Sequence, residues 1–148
     1  MTAIELAGAA ATEAFGRHLA PLIRPGDVIA LYGDLGAGKT TLARGILYGL
    51  GFPGEVASPT FPIVQSYDAL PIPLCHVDLY RIEDRSELDE LGLEDALIDG
   101  ALVLEWPERL GAALWPTALC LQLTGAGEGA RALTARVPPA WEARWPPR

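Results

Sequence analysis

The sequence predicts a single α/β domain whose mixed, mostly parallel sheet carries antiparallel strands at its edges. Short apolar segments typical of buried strands alternate with segments whose apolar residues recur at helical spacing. Predicted strands outnumber predicted helices, whereas a purely parallel sheet needs a crossover connection between each pair of parallel strands. Strands joined by hairpins at the edges account for that shortage. With 148 residues, the chain is long enough for one domain with a real core.

The elements follow one another in a simple order. An N-terminal helix is predicted from the apolar spacing of Ala14, Phe15, Leu19 and Leu22, with Thr12 near its cap. Residues 1–137 are predicted to form the domain, and the Pro- and Trp-rich segment 138–148 an irregular, loosely packed tail. The other predicted elements are a strand at 27–32, a helix at 41–48, strands at 61–67 and 74–80, an acidic helix around 87–97, and strands at 101–106, 118–123 and 131–137.

Composition and charge exclude several classes of protein. A net charge of −8 argues against autonomous nucleic-acid binding, which usually depends on a basic patch. No apolar run of 18 residues is free of charge or proline, so no membrane span is expected. The first residues carry Glu5 and no basic cluster, unlike a secretory signal. Cys75 and Cys120 are too few for a disulfide framework and are expected to be buried thiols in a reducing cytosol, which predicts a cytoplasmic protein.

The negative charge is concentrated in residues 83–99, where Arg85 is the only basic residue. One interpretation is a solvated helix face, and the other is a docking surface for a basic partner protein. The acids of this segment are Glu83, Asp84, Glu87, Asp89, Glu90, Glu94, Asp95 and Asp99.

A glycine-rich loop, GDLGAGKT, contains Lys39, the only lysine of the chain beside ten arginines. A glycine, four residues and then Gly-Lys-Thr form the phosphate-binding Walker A pattern, here placed between a predicted strand and a predicted helix. Inward-facing N–H groups of 36–39 would cradle phosphates, Lys39 would bridge the β and γ phosphates, and Thr40 would bind Mg²⁺. The alternative is a glycine turn that caps an ordinary helix. The predicted nucleotide-binding residues are Gly33, Asp34, Leu35, Gly36, Ala37, Gly38, Lys39, Thr40 and Thr41.

Two acids at strand ends are candidates to complete this site. Asp78 follows the apolar segment 74–77 and Glu105 follows 102–104, and ligands gather at the carboxyl ends of strands in open α/β sheets. Asp78 fits the Walker B role, and Glu105 is expected to bind Mg²⁺ or to orient the attacking water. Either acid could instead cap a helix or pair with Arg81 or Arg109. The predicted catalytic residues are Lys39, Asp78 and Glu105, and the predicted metal ligands are Thr40, Glu105 and Asp78.

Other residues near these motifs have two interpretations each. The segment Ser58-Pro59-Thr60 is either a loop that senses the γ phosphate, with Thr60 at the nucleotide, or a turn before a strand. His76 is a buried, hydrogen-bonded histidine or a catalytic one. Arg81 neutralises charge in the transition state or pairs with the acidic helix. Because the chain has no asparagine, the guanine-reading Asn-Lys-x-Asp motif is absent, and ATP is the expected nucleotide.

Four ordered motifs together resemble the TsaE family of bacterial ATPases. They are GDLGAGKTT (33–41), SPTF (58–61), HVDLYR (76–81) and LVLEWPERL (102–110), with the late Arg131 in the expected order, and they cover most of the chain to about Arg136. The resemblance implies a phosphate loop at 35–40, Mg²⁺ ligation by Thr40 and Glu105, Asp78 as the acid of HVDLYR, and Arg131 at the nucleotide. Phe61 stands where many members have tyrosine.

The resemblance also implies a function. It predicts a small Mg²⁺-dependent ATPase that supports threonylcarbamoyladenosine modification of tRNA by TsaB and TsaD, with tRNA held by those partners rather than by this acidic chain. The alternatives are a small-molecule kinase and a nucleotide-gated binding module. Two observations argue against the kinase: no arginine-rich lid segment follows the glycine-rich loop, and little sequence remains to build a pocket for a phosphate acceptor.

Overall fold

The computed structural model describes residues 3–34, 36–56, 64–125 and 129–147. Within these ranges the chain forms strands β1 (Ile4–Leu6), β2 (Val28–Tyr32), β3 (Val64–Tyr67), β4 (Leu74–Asp78), β5 (Ala101–Glu105), β6 (Leu119–Thr124) and β7 (Arg131–Arg136). The α-helices are α1 (Ala9–Leu19), α2 (Lys39–Gly49), α3 (Arg85–Glu90) and α4 (Leu93–Ala96). Short 3₁₀ segments lie at Ala20–Leu22, Pro107–Ala113 and Pro139–Trp141. Among these described helices, none has the length and apolar character that a membrane crossing requires.

All seven described strands form one sheet, in the order β1-β7-β6-β2-β5-β4-β3. The central strands β6, β2, β5 and β4 run parallel, and antiparallel pairs lie at both edges. This arrangement confirms the predicted mixed sheet. Because the parallel strands end at the same edge, Asp78 at the end of β4 lies opposite Glu105 at the end of β5. The two predicted strand-end acids are therefore neighbours.

The sheet is covered on both faces, which explains the nearly continuous apolar composition of its central strands. Helices α1 and α2 pack on one face over a core that includes Ile29, Leu31 and Val103. On the other face, a second core forms around Val28, Leu102 and the turn and short helices that follow β4. In β5, every residue is buried, including the terminal Glu105. Glu105 is thus attached to a fully packed strand.

Helices α1 and α2 approach each other closely because glycine lies at their contact. A methyl group added to Gly45 would overlap the carbonyl oxygen of Glu13, and one added to Gly16 would overlap that of Leu42. The contact fixes the position of α2, whose first turn carries the end of the glycine-rich loop.

Gly45→Ala is therefore expected to lower the free energy of unfolding by about 3 kcal/mol, since forced overpacking outweighs the better helix propensity of alanine. Urea denaturation measures the change. The matched control is Gly92→Ala, where φ is +64° and no atom lies within 4 Å of the added methyl, so that only backbone strain of about 1 kcal/mol is expected. Equal losses in the two variants would contradict a packing role for Gly45.

The C-terminal segment departs from its prediction as a loosely packed tail. Trp141 is fully buried, and the ring of Trp145 meets Phe15 of α1 edge to face at 5.9 Å. The guanidinium of Arg144 lies 3.8 Å from the centre of the Trp141 ring and donates to Asp27 at 2.7 Å. A proline-rich segment has no period that would reveal such packing, because the contacts come entirely from the rest of the fold.

Apart from shifts of one or two residues at the ends of elements, three other features differ from the sequence prediction. Helix α1 begins at Ala9, so Thr12 lies inside it and its hydroxyl donates back to the carbonyl of Gly8 at 2.9 Å instead of capping the helix. The acidic helix is divided into α3 and α4 by Gly92, whose φ of +64° interrupts it. Strand β1 was not predicted. Residues 61–63 of the predicted strand 61–67 lie outside the described residues, and β3 covers 64–67.

Candidate functional site

The glycine-rich loop joins the end of β2 to the first turn of α2 at the carboxyl edge of the sheet. Its backbone takes positive φ at Gly33, Gly36 and Gly38. At Gly33 (φ +150°) an added methyl would also lie 2.8 Å from the carbonyl oxygen of Leu123. Glycine therefore allows the loop to pass close to β6 and wrap around the amino end of α2. Exposed N–H groups and the helix dipole favour an anion there.

One amide of the predicted anion cradle is used inside the loop. The N–H of Ala37 donates to the carbonyl oxygen of Asp34 at 3.0 Å and closes a turn. The predicted cradle therefore depends on the amides of Gly36, Gly38 and Lys39. Leu35 lies outside the described residues.

Lys39 is the first residue of α2, and its side chain folds back toward the start of the glycine-rich loop. Its ammonium donates to the carbonyl oxygen of Gly33 at 2.7 Å and lies 3.3 Å from the centre of the Trp106 ring. The residue is only 5% exposed, and this burial lowers the pKa of Lys39. Nearby acids, Glu105 first among them, oppose that effect by stabilising the charged form. The result is a partly desolvated cation at the mouth of the loop, where it would attract phosphate strongly.

Thr40 and Glu105 meet directly. The Thr40 hydroxyl donates to the Glu105 carboxylate at 3.1 and 3.2 Å from its two oxygens. On the other side, His76 Nε2 lies 2.6 Å from Glu105 Oε2, and His76 is fully buried. Because His76 Nδ1 has no hydrogen-bond partner among the described residues, the proton belongs on Nε2, which donates to the carboxylate. The interpretation of His76 as a buried, hydrogen-bonded histidine is thus confirmed, and its partner is the predicted site acid.

Asp78 lies one strand away from Glu105 and faces a different partner. Its Oδ1 accepts the N–H of Tyr80 at 3.0 Å, which fixes the carboxylate at the turn after β4. Burial raises the pKa of Asp78, and the nearby charge of Glu105 raises it further, whereas the hydrogen bond from Tyr80 lowers it. A cation placed between the two carboxylates would relieve this repulsion. The predicted metal ligands Thr40, Glu105 and Asp78 therefore lie at one edge of the sheet, with only the first two in direct contact.

Arg131, at the start of β7, holds the glycine-rich loop through its backbone carbonyls. Its guanidinium group donates to the carbonyl oxygens of Ala37 (2.9 Å), Gly129 (2.6 Å) and Gly36 (3.3 Å), and the residue is 6% exposed. These bonds occupy the carbonyls of Gly36 and Ala37 and so fix the backbone of the glycine-rich loop. Arg131 was predicted at the nucleotide; here it contacts the loop backbone.

Trp106 is a contact residue that sequence reasoning missed. Its backbone has a positive φ (+59°), and among the described residues it is the one non-glycine residue that does. Its ring packs on the Lys39 ammonium and on the Tyr80 ring, with 5.0 Å between the two ring centres. The guanidinium of Arg109 lies over that Tyr80 ring at 5.7 Å. The sequence signal for an unusual backbone here is that Trp106 lies between a strand-end acid and Pro107, because proline disfavours helical backbone in the residue before it.

The remaining predicted residues are placed as follows. Asp34 is exposed and Thr41 is half-buried in the first turn of α2. Arg81 lies in the exposed turn after β4. Thr60 and the rest of Ser58-Pro59-Thr60 lie outside the described residues, so the sensing loop stays a prediction.

The donor set fits a magnesium ion better than a transition metal. The hydroxyl of Thr40 and the carboxylates of Glu105 and Asp78 are hard oxygen donors, which Mg²⁺ prefers. Within the described ranges, no three His, Cys, Asp or Glu side chains cluster as a complete metal cage. Mg²⁺ sites in general use one or two carboxylates and leave the other positions to water and phosphate.

Known proteins match this chain over most of its length. Residues 6–133 match the family described as "Threonylcarbamoyl adenosine biosynthesis protein TsaE". The tRNA threonylcarbamoyladenosine biosynthesis protein TsaE of Bacillus subtilis is 40% identical over 124 residues, which are 83% of this chain and 77% of that protein. The protein of the same name from Streptomyces coelicolor is 49% identical over 96 residues, 63% of this chain and 65% of its own length.

A solved structure supports the same relationship. The crystal structure of Bacillus subtilis YdiB aligns with a TM-score of 0.80 and 30% identity, and covers 96% of this chain and 89% of its own. The family match and the fold agree, and both include the glycine-rich loop and the strand ends that carry Asp78 and Glu105. The chain therefore belongs to the TsaE family of threonylcarbamoyladenosine biosynthesis proteins.

Proposed function

We propose that this protein is a Mg²⁺-dependent ATPase that supports threonylcarbamoyladenosine modification of tRNA by a TsaB–TsaD complex in the cytoplasm. The observation that carries the ATPase part is the contact between Thr40 and Glu105 beside the buried ammonium of Lys39. A loop that merely capped a helix would need neither a desolvated cation nor a buried carboxylate at its end. Both groups cost free energy to bury, which a triphosphate and its cation would offset.

In this proposal each part of the loop has a task. The amides of Gly36, Gly38 and Lys39, at the amino end of α2, bind the phosphates. The Ala37 amide is not available, because it closes a turn within the loop. Lys39, whose ammonium here donates to the Gly33 carbonyl, would instead donate to phosphate oxygens, which its flexible stem allows it to reach. Arg131 holds the loop in shape through the carbonyls of Gly36 and Ala37.

The carboxylates act on the metal and on water. Thr40, Glu105 and Asp78 would hold magnesium, which supplies positive charge that offsets the negative charge developing on the phosphates. Glu105 is the residue best placed to orient the attacking water as well, since His76 and Thr40 fix its carboxylate from two sides. Asp78 is fixed by the backbone of Tyr80 and adds the second carboxylate.

The partners are inferred from the family and from charge. The names of the relatives connect them with tRNA threonylcarbamoyladenosine biosynthesis. A chain with a net charge of −8 is repelled by the phosphates of tRNA. We therefore infer that tRNA is held by TsaB and TsaD, and that this protein hydrolyses ATP in contact with them.

The proposal is tested by measuring ATP turnover of the purified protein with Mg²⁺, in the presence and absence of TsaB–TsaD, with identification of the products. We expect release of inorganic phosphate that is faster with the partners. A phosphorylated acceptor in place of inorganic phosphate would identify a kinase. Nucleotide binding without partner-stimulated turnover would identify a nucleotide-gated binding module, and failure to bind ATP would refute the site itself.

His76 is expected to support turnover by holding Glu105. His76→Ala removes the donor to Glu105 Oε2, so the turnover number should fall about tenfold while ATP affinity changes little, because a displaced catalytic group costs rate more than binding. His76→Gln, whose amide can donate from a similar position, should recover part of the loss. Steady-state kinetics at a temperature where both variants remain folded measure the effect. Equal turnover in the two variants would show that the hydrogen bond is not the cause.

A further inference from the structure

A groove of about 580 Å³ lies on the face of the sheet opposite α1 and α2. One wall is formed by α4 and the end of α3, and the other by the chain from Leu110 to Pro116. We name it the acidic groove: its floor includes Leu93, Leu110 and Trp115, and its rim carries Asp89, Glu94 and Asp95. None of these residues belongs to the nucleotide site described above.

The floor offers apolar contact that the fold itself does not use fully. Leu93 and Leu110 are already buried in the core of this face, so the open apolar surface comes mainly from Leu114 and Trp115, which pack against that core and are half-buried. The volume lies within the range of about 300–1,000 Å³ that small-molecule pockets span, which leaves room for an apolar side chain. A bound apolar side chain would therefore gain burial without any rearrangement of the core.

The rim offers negative charge that no ion pair between described side chains neutralises. Residues 83–99 contain eight acids and one arginine, a net charge of −7 out of −8 for the whole chain. The ion pairs between described side chains are Arg17–Glu13, His76–Glu105 and Arg144–Asp27, and none includes a rim acid. An apolar floor inside an acidic rim is complementary to a cationic segment with an apolar side chain.

One wall of the groove is also continuous with the nucleotide site. The 3₁₀ segment Pro107–Ala113 begins two residues after Glu105, and Leu110 of that segment reaches the groove floor. A molecule seated in the groove would thus press on the segment that follows the site acid and Trp106. This gives docking a direct physical route to the rate of hydrolysis.

We propose that the acidic groove docks a positively charged segment of the TsaB–TsaD complex, with an apolar side chain of that segment on the groove floor. This inference rests on the proposed function and names the surface through which the partners act. Nucleic acid and anionic lipid are both repelled by the rim, so the occupant is a protein segment rich in lysine or arginine.

The test compares charge removal at the rim with equal charge removal elsewhere. In the full-length protein, Glu94→Gln/Asp95→Asn removes two rim charges, and the control Glu5→Gln/Glu142→Gln removes two exposed charges on other surfaces. Titration calorimetry with purified TsaB–TsaD should show about tenfold weaker binding for the rim variant and less than a twofold change for the control. ATP turnover without partners should be unchanged in both.

A second variant tests the floor and shape of the groove. Ala113→Arg places a bulky cation at an exposed position of the lining, where it can be accommodated by the fold, and should weaken binding by tenfold or more. Raising the salt concentration should weaken the wild-type complex more than the complex of the rim variant.

The outcomes separate the two proposals. If the wild-type protein binds TsaB–TsaD and all three variants bind equally well, the groove assignment is overturned while the proposed function stands. If the wild-type protein does not bind TsaB–TsaD at all, the partner assignment and the groove assignment are both overturned. Selective loss of binding in the rim and Ala113→Arg variants supports the groove.

Discussion

Replacement of Lys39 by alanine is expected to weaken ATP binding by a factor of 10 to roughly 100, because charged hydrogen bonds to phosphate contribute about 1.5–3 kcal/mol. Lys39 is 5% exposed and its ammonium contacts the Gly33 carbonyl and the Trp106 ring, so it is partly desolvated before nucleotide arrives. Little solvation is therefore lost when it meets phosphate oxygens. Titration calorimetry with ATP and Mg²⁺ measures the change, and unchanged affinity would refute the phosphate-loop assignment.

Lys39→Arg is the matched control, since it keeps the charge and changes the shape. A planar guanidinium group is wider than an ammonium and has to fit against the Trp106 ring, which lies 3.3 Å from the lysine nitrogen. We expect the arginine variant to bind ATP more weakly than the wild-type protein as well. Full recovery by arginine would mean that charge alone matters at this position. Circular dichroism confirms that both variants are folded.

The parts of the site that lie close together in sequence were predictable. Strand β2, the glycine-rich loop and α2 follow one another directly, so residue spacing identified them. The neighbouring positions of Asp78 and Glu105 were also predictable, because apolar strands that run parallel end at the same edge of a sheet. Their observed register, Asp78 opposite Glu105, confirms that argument.

The parts that depend on distant residues were not predictable from local patterns. Arg131 reaches the loop carbonyls from β7, about a hundred residues further along the chain, and only the family resemblance marked it. Strand β1 has three residues, too few for any period, and exists because its edge pairs with β7. Trp141 is buried by contacts with the rest of the fold, and its proline-rich segment predicted none of them.

Replacement of Glu105 by alanine is expected to retain ATP binding within a few-fold and to lower turnover by on the order of 100-fold or more, about 2.7 kcal/mol in barrier height. Glu105 is 3% exposed and its carboxylate receives hydrogen bonds from Thr40 and His76, so it is positioned for the metal and for water rather than for the phosphates. Most binding energy from the loop and Lys39 should therefore survive its removal. Single-turnover measurements separate binding from hydrolysis in this variant.

Two controls decide whether the charge of Glu105 or its packing matters. Glu105→Gln removes the negative charge at almost unchanged volume, and its single carbonyl oxygen, placed where Oε2 lies, can still accept from both Thr40 and His76. A folded, inactive glutamine variant therefore assigns the loss to the carboxylate and its charge rather than to packing. Glu142→Gln, at an exposed position after the 3₁₀ segment Pro139–Trp141, changes the net charge equally and should leave turnover nearly normal. Glu105 would lose its assigned role if the alanine variant hydrolysed ATP at a near-normal rate. Because alanine also leaves buried His76 without a partner, at a cost of about 1–3 kcal/mol, stability has to be measured beside the kinetics.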